Sequence, residues 1–567
     1  MAARLEGGAL ATQPPAKGEE GQVRLAAKYG TLYRLVGVVL VVSMAVSAIV
    51  GALAFHGHTH SYNHYDEVLA RFTATAGVKI TLVAKRASMQ YKGSLSAVAY
   101  VVPRETTDGT LAFDAILNQD DANTTESFIW LNNRAYWSVQ QGDETVGAGC
   151  MDEAHMPALT QIERSLRDAQ VVDGIAGGFL PTLLKNCGPD GKLLQATFMG
   201  EPFVFCKLNN DSLNFIYGED LDMTVEHLVD SSDIPTIAVP KLLSGESVTC
   251  DQVPAEADRP VSRNLMELSA EGFHRLVGSR RLAEMKSSQC GCKGKKKPCM
   301  FLHGLGSSVS QGLLDNDAAY WGDIRNHAPC CSSIKFLKMD TIHRGWTDPN
   351  SHNEFCNGAL TVSRSKSRTI GDLILVTHSM GNLIASSAVA AGKCSMSSGV
   401  TWVSLAGPMR GSKSANLLND ICNKNNAIPK ELGVIAKKCP MQPAFTSLMH
   451  ESTVNGGMKA NFRAAQGVLA RYATKTLCGV SDVGLLKSPL AAALPVVAKL
   501  SKHDSKENDG LVDFPSCTAA VGGGGFGGQI TSHNYKAQIN HIDACFRNGD
   551  GWYSADKKPV KWFECAL

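Results

Sequence analysis

The sequence has no large excess of charge of either sign, and this absence narrows the classes of protein that it can encode. Its 567 residues include 55 Lys and Arg against 53 Asp and Glu, a formal net charge of +2. Proteins that bind a phosphate backbone carry far more clustered positive charge. Charged residues make up 19% and hydrophobic residues 44% of the chain, values typical of folded domains. We therefore expect a folded protein without a nucleic-acid partner.

Cysteine is absent from the first 149 residues, although the chain contains 17 cysteines in all. A long apolar run falls inside this cysteine-free part: between residues 35 and 55 the only polar side chains are Ser43 and Ser47. As a helix this run spans about 31 Å, which matches a hydrocarbon core of about 30 Å. Residues 35–55 are therefore predicted to form a transmembrane signal anchor.

The charges beside this run predict its orientation. The preceding tail carries five basic residues: Arg4, Lys17, Arg24, Lys28 and Arg34. By the positive-inside rule, residues 1–34 form a cytoplasmic tail and the rest of the chain is lumenal or extracellular, as in a single-pass type II membrane protein. The alternative is a signal peptide cleaved after Ala54, which would make the protein secreted. Sequons at Asn123 and Asn210 are consistent with glycosylation on the lumenal side.

An oxidising compartment converts most cysteines into disulfides, and the odd total leaves at least one cysteine free or joined to another chain. Cys290 and Cys292, with Cys299 close by, predict disulfides rather than a metal site. We also expect bridges to tie down the C-terminal part, where three cysteines lie: Cys517, Cys545 and Cys565.

Residues 61–250 have a strand-like pattern of aromatic and β-branched runs separated by turn residues. Three hairpins are predicted, around 132–134, 200–202 and 218–220, which favours an antiparallel meander. No chemical motif stands out, so the region is interpreted as a β-rich accessory or binding domain. Residues 251–298 are predicted to be a linker that contains one amphipathic helical stretch.

From residue 299 onward, short apolar runs alternate with helical stretches, which indicates a mostly parallel sheet with helices on both faces. The candidate strands are 299–303, 332–339, 372–376, 400–405 and 474–479. The segment between the last two predicts either a helical cap over an active site or ordinary core helices, and so does the apolar run around 490–498.

The sequence Thr377-His378-Ser379-Met380-Gly381 joins one of these strands to a helix of small residues. A sharp strand-turn-helix connection is the context of a nucleophile elbow, which presents a serine above the sheet at a helix N-terminus. Thr377 occupies a position where glycine is usual. Ser379 is therefore the candidate nucleophile.

A serine nucleophile also needs an oxyanion hole, an acid and a base. The amides of Leu305 and Met380 are the candidate oxyanion donors, because Leu305 follows an early strand and Met380 follows the serine. Asp509 and His541 come later in the order acid, then histidine. Asp504 and Asp513 compete with Asp509 for the role of the acid. His533, and less strongly His303 and His378, compete with His541 for that of the base.

At these residues a resemblance becomes visible. Asn508-Asp509-Gly510-Leu511-Val512 followed by Asn540-His541-Ile542-Asp543 resembles the triad segments of secreted microbial lipases with the α/β-hydrolase fold. The resemblance covers residues 299–567 and implies that Asp509 is the acid and His541 the base; it also makes Asp543 a possible calcium ligand. His378-Ser379-Met380-Gly381 in a membrane-anchored protein is similar to GPI inositol-deacylases as well.

These features predict serine-dependent hydrolysis of a carboxylic ester, most readily a lipid ester, through an acyl-enzyme and without a metal or other cofactor. Two alternatives stay open. One is a cell-surface recognition protein with a catalytically silent hydrolase fold, and the other is an enzyme similar to GPI inositol-deacylases.

Overall fold

The computed structural model describes residues 75–253, 282–284 and 288–567, except 91–93, 105–111, 122–123, 143, 151–169, 173, 177–191, 199, 208–214, 242–244, 424–438, 486–493 and 553. The predicted tail, anchor, sequons and linker helix lie outside the described residues. Within the described ranges no helix is long and apolar enough to cross a membrane.

Among its described residues, the β-rich region forms one antiparallel sheet of eleven strands in the order β6-β5-β4-β3-β2-β1-β12-β11-β10-β9-β7. Its strands are β1 Gly77–Ala84, β2 Ser96–Arg104, β3 Ala112–Asp121, β4 Thr124–Leu131, β5 Arg134–Gln141, β6 Glu144–Cys150, β7 Gln170–Val172, β9 Lys192–Phe198, β10 Glu201–Lys207, β11 Phe215–Gly218 and β12 Leu221–Leu228. A separate parallel pair joins β8 Gly174–Ala176 to β13 Leu282–Glu284. All three predicted hairpins are confirmed, as β4–β5, β9–β10 and β11–β12.

Alternation along the strands explains why this sheet forms. Val78, Ile80 and Leu82 on β1 are fully buried, whereas Lys79 and Thr81 between them are partly exposed. Period-two patterns of this kind place one apolar face of a sheet in a core.

The part of the chain from residue 288 onward is the second region, and its described residues form an eight-stranded sheet in the order β15-β16-β14-β18-β20-β21-β23-β22. The strands are parallel except for the β15–β16 pair at one edge. Its strands are β14 Lys297–Leu302, β15 Gly312–Leu314, β16 Cys331–Lys338, β18 Leu373–His378, β20 Val400–Leu405, β21 Ala473–Gly479, β22 Phe526–Gly527 and β23 Asn534–Ala537; a small parallel pair joins β17 Thr369–Ile370 to β19 Ser395–Met396. Each of the five predicted strands is present.

Helices cover both faces of this sheet. They are α1 Ala318–Trp321, α2 Pro349–Val362, α3 Met380–Ala390, α4 Lys413–Asn423, α5 Pro443–Ser447, α6 Gly456–Tyr472, α7 Leu494–Ser501, α8 Phe514–Cys517 and α9 Pro559–Ala566. One core joins α2, α3 and α6 to the face that carries Met300 and Leu302, and the other joins α1 and α9 to the face that carries Phe301. Because Phe462 and Leu469 of α6 lie in the first core, α6 is a core helix and not part of a cap.

The strand order and the helical layers give this region the α/β-hydrolase fold. Its second parallel strand, β16, lies outside its first, β14, and the later strands are added on the other side. This reversal brings the carboxyl ends of β14, β18 and β20 together at the centre of one sheet edge, where open α/β sheets bind their ligands.

Seven disulfides join cysteines that the structure describes: Cys150–Cys250, Cys290–Cys565, Cys292–Cys330, Cys299–Cys331, Cys356–Cys394, Cys422–Cys439 and Cys478–Cys517. The expectation of disulfides at Cys290, Cys292 and Cys299 is confirmed. The expectation for Cys545 is wrong: it is a buried free thiol whose Sγ lies 3.1 Å from the carbonyl oxygens of Tyr320 and Ile542.

The two regions meet through buried charged groups, which we call the buried ion cluster. Asp220 of the antiparallel sheet accepts hydrogen bonds from Lys558 Nζ at 2.6 Å and Lys561 Nζ at 2.8 Å, at the start of α9. Nearby, Arg86 Nη2 donates to Glu564 Oε2 at 2.7 Å, and Ser88 Oγ donates to Asp550 at 2.6 Å. The cluster consists of Arg86, Ser88, Asp220, Asp550, Lys558, Lys561 and Glu564.

Candidate active site

Ser379 occupies the tight turn between β18 and α3, as the sequence predicts. Its backbone has φ 53° and ψ −128°, a conformation that L residues rarely adopt and that strained turns at functional sites often contain. Gly381 allows the helix to approach the neighbouring strand, because a Cβ there would lie 2.7 Å from the carbonyl oxygen of His303. The predicted nucleophile elbow is therefore present.

Thr377, which replaces the usual glycine, takes part in the hydrogen bonds that fix this elbow. The indole Nε1 of Trp402 donates to Thr377 Oγ1 at 2.8 Å, and the threonine hydroxyl donates to Asn382 Oδ1. The Asn382 amide in turn donates to the carbonyl oxygens of Ser379 at 3.1 Å and Leu405 at 3.0 Å. The sequence analysis did not identify Asn382 as a functional residue. Its position in the first turn of a helix of otherwise apolar or small residues could have indicated it.

His541 lies between the serine and the acid. Its Nε2 is 2.8 Å from Ser379 Oγ, and its Nδ1 is 2.7 Å from Asp509 Oδ2. The other Asp509 oxygen accepts from the backbone amides of Leu511 at 3.0 Å and Val512 at 2.7 Å, which fixes the carboxylate. An ionised carboxylate can only accept, so Nδ1 carries a proton and the neutral ring presents a bare Nε2 to the serine hydroxyl.

The competing residues are engaged elsewhere. Asp504 pairs with Lys413, and Asp513 caps α8 by accepting from Ser516 N at 3.0 Å. The His533 Nδ1 lies 3.0 Å from Lys475 Nζ in a solvent-exposed contact. Of the candidates, the structure brings only Asp509 and His541 into hydrogen-bonding distance in a chain that reaches Ser379.

Asp543 holds the loop that carries His541. Its carboxylate accepts from Leu485 N and Asn548 Nδ2, both at 2.6 Å, and from Asn540 N at 3.2 Å. These three donors occupy both oxygens of the Asp543 carboxylate. Among the described residues, no group of three or more His, Cys, Asp or Glu side chains is placed to hold a metal ion.

The two predicted oxyanion donors belong to backbone segments next to Ser379. Met380 begins α3, so its N–H belongs to the first turn, where no intrahelical acceptor exists. Leu305 follows Gly304, and a Cβ at Gly304 would lie 2.5 Å from Ser379 Cβ. The loop before Leu305 is therefore packed directly against the serine.

Two further histidines, His378 and His303, are buried close to Ser379, and burial disfavours their charged forms. Burial lowers the pKa of His378 well below its ordinary value, and the neighbouring His541 lowers it further. Burial likewise lowers the pKa of His303. His378 directs its ring nitrogens to Tyr320 and to the His541 carbonyl and not to Ser379, so it is not positioned as the base.

No protein-family model matches the sequence, and no curated protein matches it either. The fold is similar to solved structures that include the metagenomic carboxyl esterase MGS0156, at 14% identity and a TM-score of 0.29 over 50% of this chain and 79% of that chain. Haloalkane dehalogenase DatA from Agrobacterium tumefaciens C58 matches at 11% identity and a TM-score of 0.22, over 40% of this chain and 87% of its own. A thermostable esterase from Pseudomonas putida ECU1011 matches at 10% identity and a TM-score of 0.21, over 48% and 73%. The strand order and the elbow described above define the α/β-hydrolase fold of the parallel sheet region.

Proposed function

We propose that this protein is a serine hydrolase that cleaves carboxylic esters. The observation that carries the proposal is the continuous hydrogen-bond chain from Ser379 Oγ through His541 to Asp509, with distances of 2.8 and 2.7 Å. Burying three polar side chains together costs free energy unless each has a hydrogen-bond partner, and in this chain each one does. A serine, a histidine and a carboxylate in this order form the arrangement that activates a serine for nucleophilic attack.

The reaction follows from the proton positions. His541 Nε2 accepts the Ser379 proton as Oγ attacks the ester carbonyl, and Asp509 stabilises the resulting imidazolium. The amides of Met380 and Leu305 are the proposed donors to the oxyanion. The imidazolium then protonates the leaving alcohol, and a water molecule activated by His541 hydrolyses the acyl-enzyme.

We propose a lipid ester as the substrate class, with the enzyme tethered to a membrane through residues 35–55 and facing the lumen or the exterior. Support comes from the resemblance to lipase triad segments and from an apolar cluster beside the acid and the base. That cluster contains Val483 and Leu494 packed with Leu511 and Ile542, which flank Asp509 and His541 in sequence. Apolar surroundings favour an acyl chain over a charged substituent.

A chain-length series tests this proposal. Nitrophenyl esters with acyl chains from acetyl to palmitoyl would be hydrolysed by wild type and by Ser379→Ala. We expect kcat/KM to rise with acyl length in wild type and to be lost in the variant. A rate that is the same in both proteins, or no turnover of any ester, would favour a recognition protein with a silent hydrolase fold.

A further inference from the structure

Beside the triad, an unbroken set of hydrogen bonds links the oxyanion loop to the loop that carries the base. Gly304 N donates to the hydroxyl oxygen of Tyr320 at 2.8 Å, and this hydroxyl lies 2.6 Å from His378 Nδ1. On its other side, His378 Nε2 lies 3.0 Å from the carbonyl oxygen of His541.

The proton positions in this set follow from the chemistry of its ends. A carbonyl oxygen can only accept, so His378 Nε2 carries the proton that it shares with His541. The buried neutral imidazole then has a bare Nδ1, which accepts from the Tyr320 hydroxyl. Because that hydroxyl donates its hydrogen bond to His378 Nδ1, its oxygen lone pairs are left to accept from Gly304 N. The chain therefore runs in one direction, from Gly304 to His541.

Gly304 is also held through its carbonyl group. Met339 N donates to His303 Nε2 at 3.0 Å, which leaves His303 Nδ1 to donate to the Gly304 oxygen at 2.7 Å. A trans peptide is planar, so fixing this C=O also fixes the direction of the Leu305 N–H on the same peptide unit. That N–H is the proposed oxyanion donor.

We propose that Tyr320 and His378 are positioning residues for the reaction: through one hydrogen-bond chain they hold the amide of Gly304, the residue that carries the Gly304–Leu305 peptide, in register with the base loop. This inference rests on the proposed function. Neither side chain touches the reacting atoms. Each acts through a backbone group whose position matters most in the transition state, when the oxyanion and the imidazolium form together.

The first test removes one hydroxyl and uses a matched control. Tyr320→Phe breaks the chain while keeping the ring. Tyr535→Phe makes the same change at a buried hydroxyl that also has two partners, Ala555 O at 2.6 Å and Lys558 N at 3.0 Å, but lies outside the active site. We expect Tyr320→Phe to lower kcat about 10- to 100-fold, as small misplacements of catalytic groups do, with KM unchanged. The control should keep the wild-type kcat.

A double-mutant cycle provides the second readout. A glutamine at position 378 can replace the Nε2 donor to His541 but offers Tyr320 no matching acceptor. Tyr320→Phe and His378→Gln break the same chain. The double variant should therefore be no less active than the less active of the two single variants. Additive losses, or equal losses in Tyr320→Phe and Tyr535→Phe, would overturn the positioning role.

Failure of this inference is distinguishable from failure of the proposed function. Titration of wild type with a fluorophosphonate counts competent serines before any variant is compared. An unlabelled wild type would overturn the proposed function and the positioning role together. A labelled wild type whose Tyr320→Phe variant behaves like Tyr535→Phe would overturn the positioning role alone.

Discussion

The two sheets of this molecule bury polar side chains in different places. Among the described residues of the antiparallel sheet region, the buried polar residues other than Ser127 and Ser138 belong to the buried ion cluster. In the parallel sheet, Ser379, Asp509 and His541 are buried at the active-site edge. Burial of polar groups costs free energy in both cases. We propose that one set stabilises a junction between regions and that the other performs chemistry, so variants in the two sets should fail in different ways.

The largest expected effect is on catalysis, from the triad. Ser379→Ala, Asp509→Asn and His541→Ala should each lower kcat by about 10⁴-fold or more, without additive losses, because the three residues act as a unit. Ester turnover and thermal unfolding would be measured together, and the melting temperature should stay near that of wild type. His533→Ala is the matched control for the base. If that variant lost activity and His541→Ala kept it, the assignment of the base would be wrong.

Variants in the buried ion cluster should lower the free energy of unfolding and leave kcat unchanged. Asp220→Asn removes the carboxylate that Lys558 and Lys561 share and leaves each ammonium group with one glutamate, Glu201 or Glu219. Loss of one partner from a buried ion pair costs about 3–5 kcal/mol. Glu226→Gln, which breaks the exposed pair with Lys79 in the same sheet, should cost less than about 1 kcal/mol. Urea unfolding measures both losses. A kcat that falls in Asp220→Asn while the protein is still folded would contradict the division of roles.

The free energy of unfolding should depend on pH in a way that identifies the role of Asp220. Burial alone would raise the pKa of Asp220, but the charges of Lys558 and Lys561 outweigh burial and lower it to about 2. A carboxyl whose pKa is lowered by folding stabilises the folded state above its unfolded pKa of about 3.9, and this contribution is lost as the pH falls through the folded value. The stability difference between wild type and Asp220→Asn should therefore be constant from neutral pH to about pH 4 and shrink towards pH 2. A difference that disappears above pH 5 would contradict the lowered pKa.

A smaller effect is expected at the elbow. Asn382→Ala leaves the carbonyl oxygens of Ser379 and Leu405 without their side-chain donor, at a cost of about 1–3 kcal/mol in the free energy of unfolding. Trp402→Phe is the comparison variant, because it removes the indole donor to Thr377 and leaves the Asn382 amide in place. We expect slower ester turnover in Asn382→Ala than in Trp402→Phe. Equal rates would show that the Asn382 amide does not hold the nucleophile.

The smallest effect should come from Cys545. Burial raises the pKa of its thiol to about 12, so it is protonated at neutral pH and is a poor nucleophile. Iodoacetamide should leave the peptide that contains Cys545 unmodified and esterase activity unchanged in the native protein, and should alkylate it after unfolding. Rapid alkylation of the native protein, measured by mass spectrometry, would contradict this environment.

Local patterns predicted much of both sheets. The hairpins and the five strands follow from runs of apolar residues and turn residues close together in sequence, and the order of Ser379, Asp509 and His541 follows from the elbow and the resemblance. The buried ion cluster was not predictable, because Ser88 and Asp550 meet across 462 positions of sequence. Disulfide pairing was not predictable either, since spacing does not determine connectivity. Tyr320 and Asn382 were missed because hydroxyl and amide contacts with backbone groups leave no periodic pattern.

We propose that Ser379 is a nucleophile activated by His541 and Asp509. The most direct test is to treat the full-length protein with a limiting amount of fluorophosphonate and to map the adduct by peptide mass spectrometry. We expect one adduct on the peptide that contains Ser379, and none on any peptide of Ser379→Ala or of protein unfolded before treatment. An unmodified Ser379 peptide in the native wild type, or the same labelling in Ser379→Ala, would contradict it.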